Sequence, residues 1–425
     1  MSDHKDDTLK KAKKPIIVGN VVTGRDFFGR EKEIAKFTGL LKSDANVLLL
    51  GQRRMGKTSL MRETANRFQD SAVCLYVDIE HCDSAQDVML KLGKVAHEHR
   101  SLIGAAKDGF FDMLKSIRGS IDEIGTDALV KIKLREGAAE NWSYIGDGIL
   151  EWLAKTNKKV IILIDELPVF INRVIRNSSN VIVPEKKKDA DIFLSWLRGA
   201  SIQHVGKIAF ATGGSIGIEP ILEQIGLSDR LNNFTAFHLE PWSAEIALEF
   251  LEDRAEENGI CFKEGAKEHI LEKLGVAIPH FVQKFLLNIS WDCMDRSSDA
   301  CDVVDVDRIY KDKMLAVQGS IELATYVERL ERTLGREKFL LARDLLTEAA
   351  IADRLTGKAA MIIAEDHYPD HNERTEVIRF LMKTFEHDGY LHQDGRDYVF
   401  KNSLLKDYWE KEFSFYFIPS DQRNK

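Results

Sequence analysis

The sequence predicts an α/β protein whose core is a parallel β-sheet covered by helices on both faces. Short aliphatic runs recur without polar alternation, which is typical of strands buried on both sides. Stretches with apolar residues at helical spacing separate these runs, as in strand–helix–strand units. The first run leads into a glycine loop, Gly51–Thr58, which a helical pattern follows. Because 425 residues are too many for one ordinary core, we expect several domains.

Five strands are predicted along the core, each a short run rich in aliphatic residues. They are Asn46–Leu50, Ala72–Ile79, Val160–Asp165, Lys207–Thr212 and Ala236–Leu239. Helical patterns fill the intervals. The clearest are residues 31–43, Thr58–Phe68, residues 84–157 and Ile192–Ala200, the third interrupted by a short β-like piece around Leu129–Leu134.

Changes in pattern divide the chain into four segments. Residues 1–15 are charged and lack the apolar segment of a secretory signal, so we expect a disordered tail. Residues 16–242 hold the predicted α/β core. Residues 243–319 are interpreted as a helical lid and linker, and residues 320–425 as a separate C-terminal domain.

Composition narrows the class of protein. No apolar run approaches the roughly 18–20 residues that a membrane span needs, so we expect a cytoplasmic protein without a membrane partner. The five cysteines are scattered and form no CxxC pair, which predicts reduced thiols and no metal site made of protein ligands alone. The net charge of −8 removes the simplest electrostatic argument for nucleic-acid binding.

The glycine loop at 51–58 matches the phosphate-binding pattern G-x-x-x-x-G-K-[ST], the P-loop. Glycines let the backbone turn its N–H groups inward, and the following helix directs its positive end at the same anion. Lys57 is suited to the β- and γ-phosphates and Thr58 to Mg²⁺. The predicted phosphate-binding residues are Gly51, Gln52, Arg53, Arg54, Met55, Gly56, Lys57, Thr58 and Ser59.

An acidic pair ends the third predicted strand. Strands of an open parallel sheet deliver such residues to the carboxyl edge, where ligands bind. We predict that Asp165 completes the Mg²⁺ site with Thr58, and that Glu166 polarises the attacking water. Lys57, Asp165 and Glu166 are therefore the predicted catalytic residues.

Three further polar residues are candidates with open alternatives. The fourth strand ends in Thr212-Gly213-Gly214-Ser215, where Thr212 and Ser215 would sense the terminal phosphate or the attacking water, although Thr-Gly-Gly-Ser is also a good turn sequence. Arg230 precedes the fifth strand and is a candidate for stabilising transition-state charge, in cis or across a subunit interface. The alternative for Arg230 is an ordinary surface arginine.

Several strings together make the chain resemble the archaeal-type ATPase family, part of the signal-transducing STAND class of AAA-like P-loop ATPases. The resemblance covers about residues 22–290 and extends more loosely over the C-terminal domain. Besides the P-loop, it is carried by Phe28-Gly29-Arg30-Glu31, Asp165-Glu166-Leu167-Pro168, Gly214-Ser215-Ile216-Gly217, Glu240-Pro241-Trp242-Ser243 and Gly275–Pro279.

The resemblance implies ATP and Mg²⁺ as ligands, a sheet ordered 5-1-4-3-2 and a helical lid after Pro241. It implies that Phe28, Gly29 and Arg30 line the adenine pocket. In related proteins the lid's glycine–proline element, here Gly275 and Pro279, reports the nucleotide state. This lid lacks an obvious sensor arginine, which favours a slow switch.

Residues 336–412 are interpreted as a winged helix. A helix over Thr375–His387 leads into a hairpin that turns at Asp394-Gly395. The helix carries as many acidic as basic residues: Arg374, Arg379 and Lys383 stand against Glu373, Glu376 and Glu386. A DNA-reading helix usually has a basic face, so we favour a protein contact for this domain.

The predicted function is an ATP-binding and ATP-hydrolysing molecular switch, whose nucleotide state positions the C-terminal domain for a protein partner. The alternative is an ATP-dependent DNA-binding initiator or regulator that reads DNA through the winged helix. A nucleotide-binding scaffold without hydrolysis is a third reading, against which Glu166 argues. A nucleotide-dependent homo-oligomer is left open.

Overall fold

A five-stranded parallel sheet forms the centre of the computed structural model, which describes residues 15–68, 71–99, 142–316 and 319–423. The strands are β1 (Asn46–Leu50), β2 (Ala72–Asp78), β3 (Lys159–Asp165), β4 (Ile208–Gly213) and β5 (Phe234–His238). Their order is β2-β3-β4-β1-β5, and every neighbouring pair is parallel. Read from the other edge, this is the expected order 5-1-4-3-2, so the predicted fold class is confirmed. Residues 1–14 of the expected tail at 1–15, and the β-like piece at Leu129–Leu134, lie outside the described residues.

Helices cover both faces of the sheet. They are α1 (Glu31–Lys42), α2 (Lys57–Phe68), α3 (Ala85–Glu98), α4 (Trp142–Ala154), α5 (Leu167–Val174), α6 (Pro184–Gln203) and α7 (Ile218–Ile225). Along β3, Ile161 and Leu163 pack in the cluster that contains α1 and α2, while Ile162 and Ile164 pack in the cluster that contains α3 to α7. Because both faces are apolar, β3 is an aliphatic run without polar alternation.

A mainly helical segment follows the sheet. It comprises α8 (Ala244–Asn258), β6 (Cys261–Phe262), α9 (Ala266–Leu274), α10 (Pro279–Asp295), β7 (Ala300–Cys301) and α11 (Val303–Ile309), which continues as a π-helical turn over Tyr310–Met314. The expectation that residues 243–295 are all helical is wrong in one detail, since β6 lies within them and forms a short parallel pair with β7. Two-residue strands carry too little periodic pattern to be recognised in a sequence.

The C-terminal region consists of helices and a hairpin. Its elements are α12 (Ile321–Leu334), α13 (Arg336–Ile351), α14 (Gly357–Glu365), α15 (His371–Asp388), β8 (Leu391–Asp394), β9 (Asp397–Phe400) and α16 (Ser403–Phe413). The hairpin is antiparallel, with Asp394 opposite Asp397. Its two-residue loop therefore begins at Gly395, one residue later than expected, and Gly395 has the positive φ of 63° that such turns favour.

Contacts along α15 join the C-terminal region to the core. The amide of Gly217 donates to Asp388 Oδ1 at 2.9 Å, and His387 Nε2 lies 2.5 Å from Glu219 Oε2. These carboxylates raise the pKa of the half-buried His387 to about 10 against the effect of burial.

No helix among the described residues is long and apolar enough to cross a membrane.

Candidate nucleotide-binding site

The loop between β1 and α2 has the backbone conformation of an anion-binding turn. Gly51 and Gly56 have φ values of 145° and 90°, and Arg54 between them is left-handed at 68°. A Cβ on Gly51 would lie 2.7 Å from the Leu239 carbonyl oxygen, so the close approach of β5 requires glycine there. The loop ends at Lys57, the first residue of α2, so that the amino-terminal end of this helix opens into the site.

Lys57 is buried at the base of this loop. Its ammonium donates to the carbonyl oxygens of Gly51 at 2.6 Å and Gln52 at 2.8 Å. Burial lowers the pKa of Lys57 to about 8, although the nearby carboxylates of Glu166 and Asp165 oppose this effect. The loop therefore holds a buried cation beside two carboxylates.

Asp165 lies at the carboxyl end of β3, next to the start of α2. Its Oδ2 accepts hydrogen bonds from Thr58 Oγ1 at 2.8 Å and from the hydroxyl of Tyr76 at 2.7 Å. The contact between Thr58 and Asp165 brings together the two residues that were expected to share Mg²⁺. Tyr76 was missed by sequence reasoning, because nothing in the β2 pattern distinguishes it from a packing aromatic.

Glu166 follows in a left-handed conformation, with φ of 65°, just before α5. One oxygen, Oε2, accepts from both the amide and the hydroxyl of Ser215, each at 2.8 Å. Burial raises the pKa of Glu166, and the Ser215 hydrogen bonds oppose this increase. Left-handed backbone at a non-glycine residue costs about 1–3 kcal/mol and is concentrated at functional sites.

Arg329 on α12 closes the cleft from the C-terminal region. Its guanidinium donates to Ser215 Oγ, and its Nη2 lies 3.8 Å from Glu80 Oε1. Sequence reasoning missed this arginine, because it searched the lid for a sensor arginine and Arg329 lies beyond the lid. No local motif marks it, since its position depends on how α12 packs against the P-loop.

An open cleft of about 270 Å³ is lined by residues that include Thr58, Ser215 and the charged side chains of this site. Its lining contains two carboxylates, Asp165 and Glu166, and five cationic side chains, Arg30, Arg53, Arg54, Lys57 and Arg329. A larger cleft of about 1070 Å³ lies between α5, α6 and α12, but it contains none of the predicted site residues. We prefer the smaller cleft as the functional one, because only it combines an anion-binding turn with this excess of positive charge.

Three buried polar atoms of the smaller cleft have no hydrogen-bond partner: Arg54 Nε, Trp242 Nε1 and His280 Nε2. Burial lowers the pKa of His280 to about 3, so its imidazole is neutral at physiological pH. Buried polar groups are normally paired, and an unpaired set around one cleft fits a polar ligand. Together with the cationic lining, this set fits a nucleoside polyphosphate.

The Phe28-Gly29-Arg30 box lies against the same cleft. Phe28 packs edge-on against Trp242, with ring centroids 6.0 Å apart. Arg30 is buried and donates to the carbonyl oxygens of Glu240 at 2.7 Å and Met55 at 3.2 Å, which fastens the box to the P-loop. Gly29 has φ of 67°, and a Cβ there would lie 2.4 Å from Ile246 Cγ2.

The structure brings most of the predicted site residues together. Those that line the cleft are Phe28, Arg30, Arg53, Arg54, Met55, Gly56, Lys57, Thr58, Ser59, Asp165, Glu166 and Ser215. Gly51 and Gln52 contribute carbonyl oxygens to Lys57, and Gln52 packs its side chain against Gly389. Ser59 Oγ accepts from the amide of Val22 at 3.1 Å, which ties the N-terminal segment to α2.

Two predicted residues are not brought into the cleft. Thr212 is fully buried in β4, and its hydroxyl has no hydrogen-bond partner. Arg230 pairs with Asp191 at 2.6 Å and with Asp229 at 2.7 Å. It precedes β5, and the amino ends of parallel strands lie at the edge of the sheet opposite to the P-loop. A contact of Arg230 with nucleotide across a subunit interface stays a prediction.

Comparison with known proteins agrees with this geometry. A family model described as an ATPase domain predominantly from Archaea matches residues 27–271. The Walker-type ATPase PABY2304 of Pyrococcus abyssi is similar in structure, with a TM-score of 0.57 and 17% identity over 90% of this chain and 96% of that one. The ORC2 protein of Aeropyrum pernix, solved in ADPNP–ADP complexes, gives a TM-score of 0.51 and 12% identity over 91% and 95% of the two chains.

At these identities the two structures establish the fold alone. No curated protein matches the sequence. The family model covers more than half of the chain and includes the P-loop, the acidic pair and Ser215. The chain therefore belongs to the family of ATPase domains found predominantly in Archaea.

Proposed function

We propose that the protein binds MgATP in this cleft, hydrolyses it, and uses the change of nucleotide to position its C-terminal region for a protein partner. One observation carries the proposal: the P-loop lysine, the Asp165–Glu166 pair and Arg329 of the C-terminal region line the same cleft. The C-terminal region supplies part of this site, so a bound nucleotide contacts that region directly. A ligand that makes different contacts with two conformations shifts the equilibrium between them, which is what a switch requires.

The residues of the cleft have separate roles in this proposal. Lys57 and the loop amides bind the phosphates, while Thr58 and Asp165 would hold Mg²⁺, which would supply positive charge to the phosphate oxygens. Glu166 orients water and accepts its proton, and the elevated pKa that burial gives it makes the carboxylate a better base near neutral pH. The unpaired Nε1 of Trp242 and the ring of Phe28 are available to the base of the nucleotide.

We propose that α13 to α16, with the β8–β9 hairpin, form a winged helix that contacts protein and not DNA. Two of the three arginine and lysine side chains on α15 are paired within the chain, since Lys383 lies 3.1 Å from Glu223 and Arg374 lies 3.2 Å from Glu365. A DNA-reading helix needs such cations free for phosphate. The paired state of α15 therefore supports a protein partner.

The lid supports the assignment to the STAND class, whose glycine–proline element is expected to report the nucleotide state. Pro279 begins α10 and lines the cleft. Gly275, four residues earlier, packs against the start of α16, where a Cβ would lie 2.6 Å from the Lys401 carbonyl oxygen. The lid thus touches the nucleotide cleft on one side and the C-terminal region on the other.

The test is Mg²⁺-dependent ATP hydrolysis by the full chain, compared with Glu166→Gln and Lys57→Ala. Glu264→Gln is the matched control, because Glu264 is exposed and lies outside the cleft. We expect hydrolysis to be lost in the first two variants and kept in the control. Wild-type hydrolysis in Lys57→Ala would contradict the assigned site, and hydrolysis by Glu166→Gln would contradict the role of Glu166 as base.

The same assay separates the two kinds of partner. Duplex DNA is added at several salt concentrations, because phosphate contacts make binding fall steeply as salt rises. Turnover indifferent to DNA supports the protein-directed switch. Turnover stimulated by DNA in a salt-dependent way would replace it with the DNA-binding regulator.

A further inference from the structure

The first turns of α12 are attached directly to the P-loop. Arg53 donates from its guanidinium to Thr325 Oγ1, and the hydroxyl of Tyr326 donates to the Arg53 carbonyl oxygen at 3.4 Å. Tyr326 in turn accepts, at its own carbonyl oxygen, a hydrogen bond of 2.8 Å from the hydroxyl of Tyr390, which precedes β8. These contacts place Arg329, one helical turn beyond Thr325, at the cleft.

Arg329 is held there by weak partners. Its guanidinium donates to the neutral hydroxyl of Ser215, and its contact with Glu80 spans 3.8 Å, longer than a good charged hydrogen bond. Its side chain is 20% exposed, so desolvation has already weakened its hydration.

The water that attacks a nucleoside triphosphate lies next to the terminal phosphate, so a side chain beside the carboxylate proposed to orient that water is also near that phosphate. Ser215, which accepts from Arg329, donates to Glu166, the residue placed to orient the attacking water. A guanidinium makes bidentate, charge-assisted hydrogen bonds to phosphate that are stronger than one bond to a hydroxyl. A nucleoside triphosphate therefore offers Arg329 a better partner than Ser215 does, whereas a diphosphate lacks that phosphate.

We infer that Arg329 binds the terminal phosphate of the nucleoside triphosphate within the same chain, and that this exchange of partners moves α12 and the C-terminal region attached to it. The inference rests on the proposed function and specifies the residue through which the nucleotide state reaches the C-terminal region. Arg329 supplies the sensor arginine that the lid lacks. The link from nucleotide to C-terminal region is then Arg329, α12, Tyr326 and Tyr390.

The test compares binding of the β,γ-imido analogue of ATP and of ADP to the full chain, with Mg²⁺ present, by calorimetry. Arg329→Gln is expected to weaken binding of the imido analogue about 10- to 100-fold, which is the effect of losing a hydrogen-bonded charge. It should change the affinity for ADP less than about threefold. Arg332→Gln is the control on the same helix, because Arg332 is exposed and lies outside this cleft. It should leave both affinities unchanged.

Hydrogen exchange supplies a second readout that a merely structural arginine would not affect. In the wild type, the imido analogue should change the exchange of the Ile321–Leu334 amides relative to ADP. In Arg329→Gln, the two nucleotides should give the same exchange. Should Arg329→Gln fail to fold, Arg329→Lys takes its place, since lysine keeps the charge but lacks the planar fork. Arg329→Lys should reduce the preference for the imido analogue over ADP several-fold.

The outcomes separate this inference from the proposed function. If the wild type binds both nucleotides and the arginine variant keeps the wild-type preference and exchange difference, the role of Arg329 is wrong and the proposed site stands. If the wild type binds neither nucleotide, or Lys57→Ala binds them normally, the proposed function itself fails. Loss of triphosphate preference together with loss of the exchange difference would support the inference.

Discussion

Ser215 donates two hydrogen bonds to a single oxygen of Glu166, one from its amide and one from its hydroxyl, each at 2.8 Å. Glu166, which is proposed to activate water, is thus hydrogen-bonded to the turn that follows β4. The same hydroxyl accepts from Arg329, so Ser215 connects the Glu166 carboxylate to the C-terminal region.

The Ser215 hydroxyl should control the pH dependence of hydrolysis. Burial raises the pKa of Glu166, and the Ser215 hydrogen bonds oppose the increase. Ser215→Ala removes one of these bonds and should raise the pKa of Glu166 further. Because the base must be ionised, the acidic limb of the pH–rate profile should move to higher pH. A shift to lower pH, measured on full profiles of both proteins, would contradict this account.

Tyr76 should position Asp165. Tyr76→Phe removes one of the two donors to Oδ2 of a carboxylate that is 3% exposed, which we expect to cost about 1–2 kcal/mol in the free energy of unfolding. Tyr144→Phe is the control, because Tyr144 is 66% exposed and should change that energy by less than about 0.5 kcal/mol. Urea unfolding measures both variants. Equal effects would show that the bond to Asp165 adds no stability.

Gly29 should be required for the stability of the fold for two reasons, its left-handed backbone and the tight packing around it. The variants Gly24→Ala and Gly29→Ala separate these two reasons. Gly29 and Gly24 have similar φ values, 67° and 60°, but a Cβ at Gly24 meets nothing within 4 Å. Gly24→Ala should therefore cost only the left-handed backbone strain, about 1–2 kcal/mol. Gly29→Ala adds the clash with Ile246, and we expect a further 1–3 kcal/mol of about the size that overpacking causes. A smaller loss at Gly29, measured by urea unfolding, would contradict the tight packing.

Burial of Lys57 should make stability depend on pH. Its pKa is lowered from 10.5 to about 8, so between these values the unfolded chain binds more protons than the folded one. The free energy of unfolding should therefore rise with pH across this window, by up to about 3 kcal/mol.

The measurement for Lys57 is a difference, wild type minus Lys57→Met, taken without nucleotide from pH 8 to pH 10.5. The other groups that titrate in this range contribute equally to both proteins and cancel. A difference that stays flat, or that falls as the pH rises, would mean that the Lys57 ammonium is not destabilised by its surroundings.

The local parts of this site could be predicted from the sequence. The P-loop of Lys57 and Thr58 is a continuous motif whose glycines require positive φ, and its chemistry follows from residues that are neighbours in the chain. Asp165 and Glu166 end an aliphatic strand, and parallel strands carry such ends to one edge of the sheet. These constraints act within one or two elements, so the residue pattern alone was sufficient.

Only the tertiary structure decided which distant residues complete the cleft. Arg53 and Thr325 are 272 residues apart, yet their contact fixes the place of Arg329. Tyr76 and Ser215 reach the carboxylates because β2 and β4 both pair with β3, which no local pattern reports. Arg230 lies away from the cleft because it precedes β5, at the edge of the sheet opposite to the P-loop. The sequence by itself determined the glycine loop and the acidic pair, because their requirements are local to the backbone, whereas the packing of whole elements determined which distant side chains line the cleft with them.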